Sequence, residues 1–345
     1  MHALVTGGTG FVGSHIVRTL NEAGHTVRVL HRTTSKLDAL TGLDYESAIG
    51  DVTDLNALRA ACAGVDWVFH VAAVADYWRA NVQHMADVNI EGTRKVLRAA
   101  RESGVQRVIF TSSAAAVGLG YDQPSDEEQP FNMRPQHFPY GYTKARAEAV
   151  VAEAVAAGQD VVTVNPAVIM GPGDLNMISG TFVVQLWRYR WLAPATYGGI
   201  AVIDVRDVAR LHLAAAEKGR TGQRYILSTA NYTYETWFGM IADALGIAPP
   251  TFYIPTFLLP IAAGLFDLAR WLGINTPIDA DQVRLGGRYV YFDNSKCIQE
   301  LGTPQINMQQ SLEDTVAWYR KAGYLESGPV QDLLATIEGL WTLLP

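Results

Sequence analysis

The chain has 345 residues, 49% apolar, 18% charged and 10% aromatic, a globular composition that excludes a disordered or fibrous protein. The formal charge is −7 and the longest acidic run is Asp126-Glu127-Glu128, so there is no basic stripe for nucleic-acid phosphates. Two cysteines, Cys62 and Cys297, exclude a disulfide framework and a four-ligand zinc site and fit a reducing compartment.

At about 150 residues per domain, the length suits two domains. Met1–Thr6 leads straight into a glycine-rich turn, with no charged segment followed by an apolar one, so a cytoplasmic protein is expected. Short β-branched runs at Ala3–Thr6, Thr26–Leu30, Tyr45–Ile49, Trp67–His70, Val108–Thr111 and Val161–Val164 predict strands. Between them, Val12–Ala23, Leu55–Ala63, Thr93–Ser103 and Tyr140–Ala157 carry helical spacing. This alternation predicts an α/β fold, a doubly wound parallel sheet with ligand at the carboxyl ends of its strands. Gly118–Pro139 is too long for an ordinary connection and is expected to border a substrate.

After Gly171-Pro172-Gly173 the chain turns aromatic, with Trp187 and Trp191, before strand-like runs at Ala201–Val205 and Arg224–Leu227. Tyr234–Leu245, Leu258–Leu272, Ser295–Leu301 and Leu312–Ala322 then predict helices. The expected organisation is a dinucleotide-binding domain over residues 1–170, resumed at about 200–230, and a smaller, mostly helical substrate lobe from 171–199 and 231–345. The most apolar stretch, Phe252–Phe266, contains Pro255 and Pro260 and falls short of the ~20 apolar residues of a spanning helix. It is expected to pack in the core or line a pocket, with peripheral membrane contact as the alternative.

Gly7, Gly10 and Gly13, with Phe11 and Val12 between the last two, sit at the first strand-to-helix junction. Small residues there let the backbone approach a pyrophosphate, and the helix N-terminus offers free N–H groups. A free ribose 2′-hydroxyl is usually held by an acid about 20 residues further on. Here that position reads His31-Arg32-Thr33-Thr34-Ser35-Lys36, with no acid before Asp38. Arg32 and Lys36 suit a 2′-phosphate instead, so NADP(H) is preferred, with NAD(H) the alternative. Asp51, followed by Val52, either accepts from the adenine amino group or caps a helix.

Tyr140 and Lys144 stand four apart on one helical face. Ser113 ends the fifth predicted strand, with Ser112 beside it as an alternative, and Asn89 lies near a helix start, where it either serves the site or caps the helix. Tyr142 with Arg146 is a rival pair at the same spacing, weakened because a guanidinium does not shed a proton. An ammonium near a phenol favours the phenolate, which brings an ordinary value of about 10 towards a range useful for proton transfer. A serine hydroxyl can hold the carbonyl oxygen that receives the proton. His84, His137 and His212 lack metal-ligand spacing, so no metal is expected.

Together, the glycine turn, strand-end serine, mid-chain asparagine and Tyr-x-x-x-Lys resemble the extended short-chain dehydrogenase/reductases, the NAD-dependent epimerase/dehydratase family. His70-Val71-Ala72-Ala73 and Asn165-Pro166 match it too. The resemblance implies a Rossmann-type sheet with Tyr140 as acid/base, Lys144 as its partner and ribose ligand, and Ser113 as carbonyl anchor. It makes Asn89 the holder of a water beside Lys144, sets Ala72, Ala73 and Pro166 along the cofactor with His70 as its wall, and implies a homodimer through Thr93–Ser103 and Tyr140–Ala157.

Two branches of the family compete. Sugar-nucleotide members often carry a diphosphate-gripping arginine before the strand that here begins after Gly198-Gly199-Ile200-Ala201, although Arg284 and Arg288 remain available. The missing arginine and the apolar Phe252–Leu272 favour the dihydroflavonol-reductase-like branch and a small-molecule ketone or aldehyde as substrate, with a nucleotide-sugar epimerase or dehydratase as the alternative.

Overall fold

The computed structural model describes residues 1–75, 81–120, 123–274, 280–328, 331–334 and 337. The chain divides into two compact units. The first comprises Met1–Ile169, Ile203–Thr229 and Tyr291–Ile306; the second comprises Met170–Val202, Ala230–Val290 and the chain from Asn307 onward.

The first unit is built on β1 (His2–Thr6), β2 (Thr26–His31), β3 (Glu46–Ile49), β4 (Trp67–His70), β5 (Arg107–Thr111), β6 (Val161–Pro166) and the strand Arg224–Leu227. All are parallel, in the order Arg224–Leu227, β6, β5, β4, β1, β2, β3. Alternate residues of β1 serve opposite faces, as the two-residue period of a strand demands. Val5 joins Ile16, Leu20, Val29, Val208 and Leu211 on one side, while Leu4 joins Leu58, Val68, Val96, Val108 and Val150 on the other. Covering helices on both faces explain why the strands read as nearly continuous apolar runs. These are α1 (Phe11–Glu22), α2 (Leu55–Cys62), α3 (Val82–Ala86), α4 (Thr93–Glu102), α5 (Pro139–Ala156) and the helix Val205–Lys218.

The chain runs outward from β1 to β3 and then returns to β4 on the other side of β1. Strand order therefore reverses between β1 and β4, and the crevice at their carboxyl ends is where a doubly wound sheet binds its ligand. Between α3 and α4 the backbone widens into a π-helical turn over Asp87–Gly92. Such turns recur at functional sites, and this one carries Asn89.

Residues 291–306, expected in the substrate lobe, belong instead to the sheet unit. The helix Ser295–Glu300 covers the strand Arg224–Leu227: Cys297 is buried in the same core as Tyr225, and the Tyr225 hydroxyl donates to Glu300 at 2.6 Å. Asp207, 1% exposed, accepts from the N–H groups of Gln305 and Ile306 at 2.9 and 2.8 Å, which fastens the end of the segment.

In the second unit the strand Ala230–Thr233 runs antiparallel to Gly199–Asp204, pairing Thr233 with Gly199, while Tyr289–Val290 joins in parallel. The helix Met308–Lys321 anchors this unit through Tyr319, whose hydroxyl donates to the Asp174 carbonyl at 2.9 Å. The apolar helix Leu259–Trp271 departs from expectation. It buries Leu259 and Ala263 and pairs Asp267 with Arg284, but Ile261, Leu265 and Trp271 are 63%, 63% and 80% exposed. Among the described residues its main neighbour is the short helix Ala280–Gly286, which is too small to cover a helix apolar on most of its circumference.

Candidate active site

The glycine turn has the geometry a pyrophosphate cradle needs. Gly7 adopts φ +72°, and a Cβ there would meet the Ala72 backbone at 2.7 Å. A Cβ on Gly13 would sit 2.2 Å from the Gly7 carbonyl oxygen. The turn is closed by Gly10 N–H donating to the Gly7 carbonyl at 3.0 Å, and α1 begins at Phe11 with no side-chain cap and no acid in its first turn. The amides of Phe11, Val12 and Gly13 are thus left to an anion, and the turn fits a dinucleotide. Ala72, with Ala73 after it, packs on the same turn from the end of β4.

Arg32 and Lys36 are exposed beyond β2, in a turn held by Arg32 N–H to the Ser35 hydroxyl at 3.1 Å. Asp51 does not cap α2, because Asp54 does. The Asp51 carboxylate accepts from Thr53 N–H at 2.9 Å and from the Thr53 hydroxyl at 2.7 Å. Burial opposes its ionisation, but the Thr53 bonds and the nearby Arg32 charge hold its carboxyl below the usual range. Arg32 and Asp51 therefore flank one end of the crevice. Val52 is buried and packs closely on Gly92 in the π-helical turn.

His70 is no cofactor wall. It is 1% exposed, at the end of β4, inside a chain of hydrogen bonds. The Thr93 hydroxyl donates to the Asn89 carbonyl at 2.7 Å and so accepts from His70 Nε2 at 3.0 Å. Nδ1 then accepts from the Thr6 hydroxyl at 2.9 Å, which itself accepts from Ala72 N–H at 3.3 Å. The neutral ring thereby clasps β1, β4 and the π-helical turn together. Burial, with the Lys144 charge, pushes its pKa down to about 3. His212 is a second buried neutral ring, lowered to about 4 by burial, with Nδ1 donating to the Val208 carbonyl at 2.7 Å and Nε2 accepting from Thr111 at 2.9 Å.

Both folded values lie below the ordinary 6.5, so between these limits the unfolded chain binds more protons. Stability should be full above pH 6.5 and fall as pH drops, by about 1.4 kcal/mol per pH unit for each histidine. Urea unfolding from pH 7 to 4.5 measures the slope. His212→Asn should lose roughly one proton's share of it, and an unchanged slope would show that His212 titrates alike in the folded and unfolded chain.

Tyr140 and Lys144 lie on the buried face of α5, at 6% and 2% exposure, and Pro139 opens the helix where its missing N–H is harmless. Tyr142 and Arg146 point to the exposed face, which removes the rival pair. Gly141 lets α5 approach closely, since a Cβ there would lie 2.4 Å from the Ala115 carbonyl. Ala115 belongs to the turn capped by Ser113, whose hydroxyl accepts from Ala115 N–H at 3.2 Å. The start of α5, which carries Tyr140, is thereby brought against the turn that Ser113 caps.

The Lys144 ammonium donates to the Thr111 carbonyl at 2.6 Å and stands 4.6 Å over the Phe110 ring. Burial lowers its pKa from 10.5 to about 8, while the Glu148 carboxylate pulls the other way. Asn89, 1% exposed, accepts from Val74 N–H at 2.8 Å and donates to the Val74 carbonyl and to Thr143 at 3.1 and 3.2 Å. It caps no helix, and its amide joins the loop after β4 to α5.

Pro166 ends β6 directly after Asn165, whose amide donates to the Ser113 carbonyl at 3.0 Å. The long loop is closed on itself by Asn132, which exchanges hydrogen bonds with Leu119 at 3.0 and 2.9 Å, and residues 121–122 lie outside the described ones. Two members of this site escaped the motif: Glu148, legible as the next residue of the Tyr140–Lys144 stripe, and Gly141, whose close approach has no sequence signal. No group of three or more candidate metal ligands occurs among the described residues.

A parallel sheet with a glycine turn that fits a pyrophosphate at its switch point and a buried tyrosine–lysine pair is the arrangement of a dinucleotide-dependent oxidoreductase. Residues 3–228 match the family described as NAD dependent epimerase/dehydratase, and the chain belongs to that family. It is an NAD(P)-dependent enzyme of the extended short-chain dehydrogenase/reductase type. It is 34% identical over 329 residues to "Putative dihydroflavonol 4-reductase" of Synechocystis sp., covering 94% of this chain and 96% of that one. It is also 34% identical to sterol demethylase protein B of Methylococcus capsulatus, over 94% of this chain and all of the relative. The solved structure of gox2253 superposes with a TM-score of 0.83 at 33% identity, covering 94% of this chain and 99% of that one.

Proposed function

We propose that the protein reduces a ketone or aldehyde with NADP(H). The observation that carries this reading is the burial of Tyr140 and Lys144 on one face of α5, close against the turn that Ser113 caps. When bound, the nicotinamide ring supplies hydride to the carbonyl carbon. The Ser113 hydroxyl donates to the carbonyl oxygen and holds it in line. The Tyr140 hydroxyl delivers its proton to the same oxygen as charge develops there. Lys144, fixed by the Thr111 carbonyl, stabilises the phenolate left behind, and Asn89 braces the helix that carries both and keeps a water beside Lys144. Gly7, Gly10, Phe11, Val12 and Gly13 hold the pyrophosphate, Asp51 and Val52 the adenine, and Ala72, Ala73 and Pro166 the remaining length of the cofactor.

The 2′-phosphate preference rests on Arg32 and Lys36, exposed at the end of β2 with no acid before Asp38. The reductase branch is supported by Arg284, which is committed to Asp267 and Asp281 and so is not offered to a diphosphate. The names of the two curated relatives, a dihydroflavonol reductase and a sterol demethylase protein, support a polycyclic substrate.

The test is consumption of NADPH, with NADH in parallel, against benzaldehyde, acetophenone, dihydroquercetin and 5α-cholestan-3-one. Turnover with at least one probe and a preference for NADPH is expected. Arg32→Asp should move that preference toward NADH by about tenfold or more, equivalent to one charge-assisted contact. A folded, NADPH-binding protein that consumes none would redirect the reading to a recycled cofactor and a nucleotide-sugar substrate.

A further inference from the structure

Glu148 follows Lys144 by one helical turn on the stripe that begins at Tyr140, and the reaction above does not use it. Its side chain is 15% exposed. Oε1 accepts from the Ser112 hydroxyl and from the Asn165 amide, the latter at 2.6 Å. Oε2 accepts from Arg224 at 2.9 Å. The second Asn165 amide hydrogen goes to the Ser113 carbonyl, so the amide cannot be flipped without losing both bonds. Arg224 also donates from Nε to the Glu127 carbonyl and from Nη2 to the Gln129 carbonyl, in the loop that follows Ser113.

We propose that Glu148 is a positioning residue that clamps the end of β5 to α5, so that the Ser113 and Tyr140 hydroxyls converge on one carbonyl oxygen. The inference rests on the reading of Ser113, Tyr140 and Lys144 given above. Ser113 and Tyr140 belong to separate elements, and nothing in a helix or a strand by itself sets the distance between them. A misplacement of about 1 Å is enough to cost on the order of 10²-fold in rate. Glu148 spans the gap with bonds on both sides: Ser112 directly precedes Ser113, Asn165 holds the Ser113 carbonyl, and Glu148 itself rides on α5. A half-buried carboxylate with three donors, one of them a guanidinium, is a costly feature to retain unless its bonds fix a geometry.

The same carboxylate acts on Lys144. Among the described residues, the titratable groups acting on that ammonium are Glu148 from α5 and the neutral His70 from β4, with Tyr140 one turn earlier on the same stripe; β5 offers the Thr111 carbonyl and the Phe110 ring, and the π-helical turn carries uncharged Asn89. Among the described residues, Glu148 is thus the anion that favours the charged form of Lys144. Removing it makes the proton easier to lose, so the alkaline limb of turnover moves to lower pH.

The experiment compares Glu148→Gln, Ser112→Ala and Tyr140→Phe in the full chain, using the fastest carbonyl of the four probes and NADPH. Glu148→Gln should lower kcat by about 10–100-fold with NADPH affinity within about twofold of wild type. In the protein without added cofactor, the Lys144 ε-carbon resonance should titrate at a pH lower by roughly half a unit or more. Ser112→Ala removes one arm and keeps the charge, so kcat should fall by about 3–10-fold with the Lys144 titration unmoved. Wild-type kcat and an unmoved Lys144 titration in folded Glu148→Gln would overturn the clamp. If Glu148→Gln does not fold, wild-type kcat in Ser112→Ala overturns it instead. The underlying reading fails separately, through Tyr140→Phe: retained turnover there removes the reacting set, whatever Glu148 does, and the Lys144 titration still decides whether the carboxylate acts on the lysine.

Discussion

Tyr140→Phe is expected to reduce turnover by about 10³-fold while leaving NADPH binding within about twofold of wild type. Phenylalanine keeps the ring and removes the one atom assigned to proton transfer. The backbone role of the residue survives, because the Tyr140 carbonyl still accepts from the Thr143 hydroxyl at 2.9 Å. The packing also survives, since Gly141 continues to seat α5 against the Ala115 carbonyl. A loss confined to kcat therefore isolates the hydroxyl from the fold. Stopped-flow reduction of the best carbonyl, paired with NADPH binding by fluorescence, makes the measurement. Turnover within tenfold of wild type in a folded variant would assign the proton to another donor.

Gly13→Ala is expected to weaken NADPH binding by about 10²-fold or more and to destabilise the fold by roughly 1–3 kcal/mol. The sign is opposite to helix propensity, which favours alanine over glycine in a helix by about 1 kcal/mol. Gly13 lies inside α1, yet its added Cβ would meet the Gly7 carbonyl oxygen at 2.2 Å, the Gly7 carbonyl carbon at 2.7 Å and Gly8 Cα at 2.8 Å. All three are backbone atoms of the turn proposed to hold the pyrophosphate, so relief displaces that turn itself. Thermal unfolding with and without NADPH reports both effects. A variant as stable as wild type, with unchanged affinity, would show that the turn has room the geometry denies.

The elements that repeat a local pattern were legible in advance. β4 and the strand Arg224–Leu227 begin and end where β-branched and aromatic runs place them, and α1, α2 and α5 shift by one residue. The glycine turn was legible because a phosphate cradle needs small residues at fixed spacing, and the Tyr140–Lys144 pair because a helix brings positions four apart onto one face. The π-helical turn at Asp87–Gly92 was not, since widening a helix by one residue leaves no compositional mark. Residues 291–306 read as part of the second unit because sequence order says nothing of which sheet edge a returning segment covers.

The sequence by itself determined the alternating strands and helices of an α/β sheet, the glycine turn and the tyrosine–lysine stripe, for each leaves a repeating pattern or a fixed spacing among residues near in the chain. Only the tertiary structure decided that Tyr140 rather than Tyr142 is buried, that His70 is a neutral clasp rather than a cofactor wall, and that Glu148 ties Ser112, Asn165 and Arg224 together. Those three facts depend on which faces meet when β1 and β4 pack on the π-helical turn and when β5, β6 and α5 pack together. Burial and hydrogen bonding between elements distant in the chain are set by that packing and by nothing local.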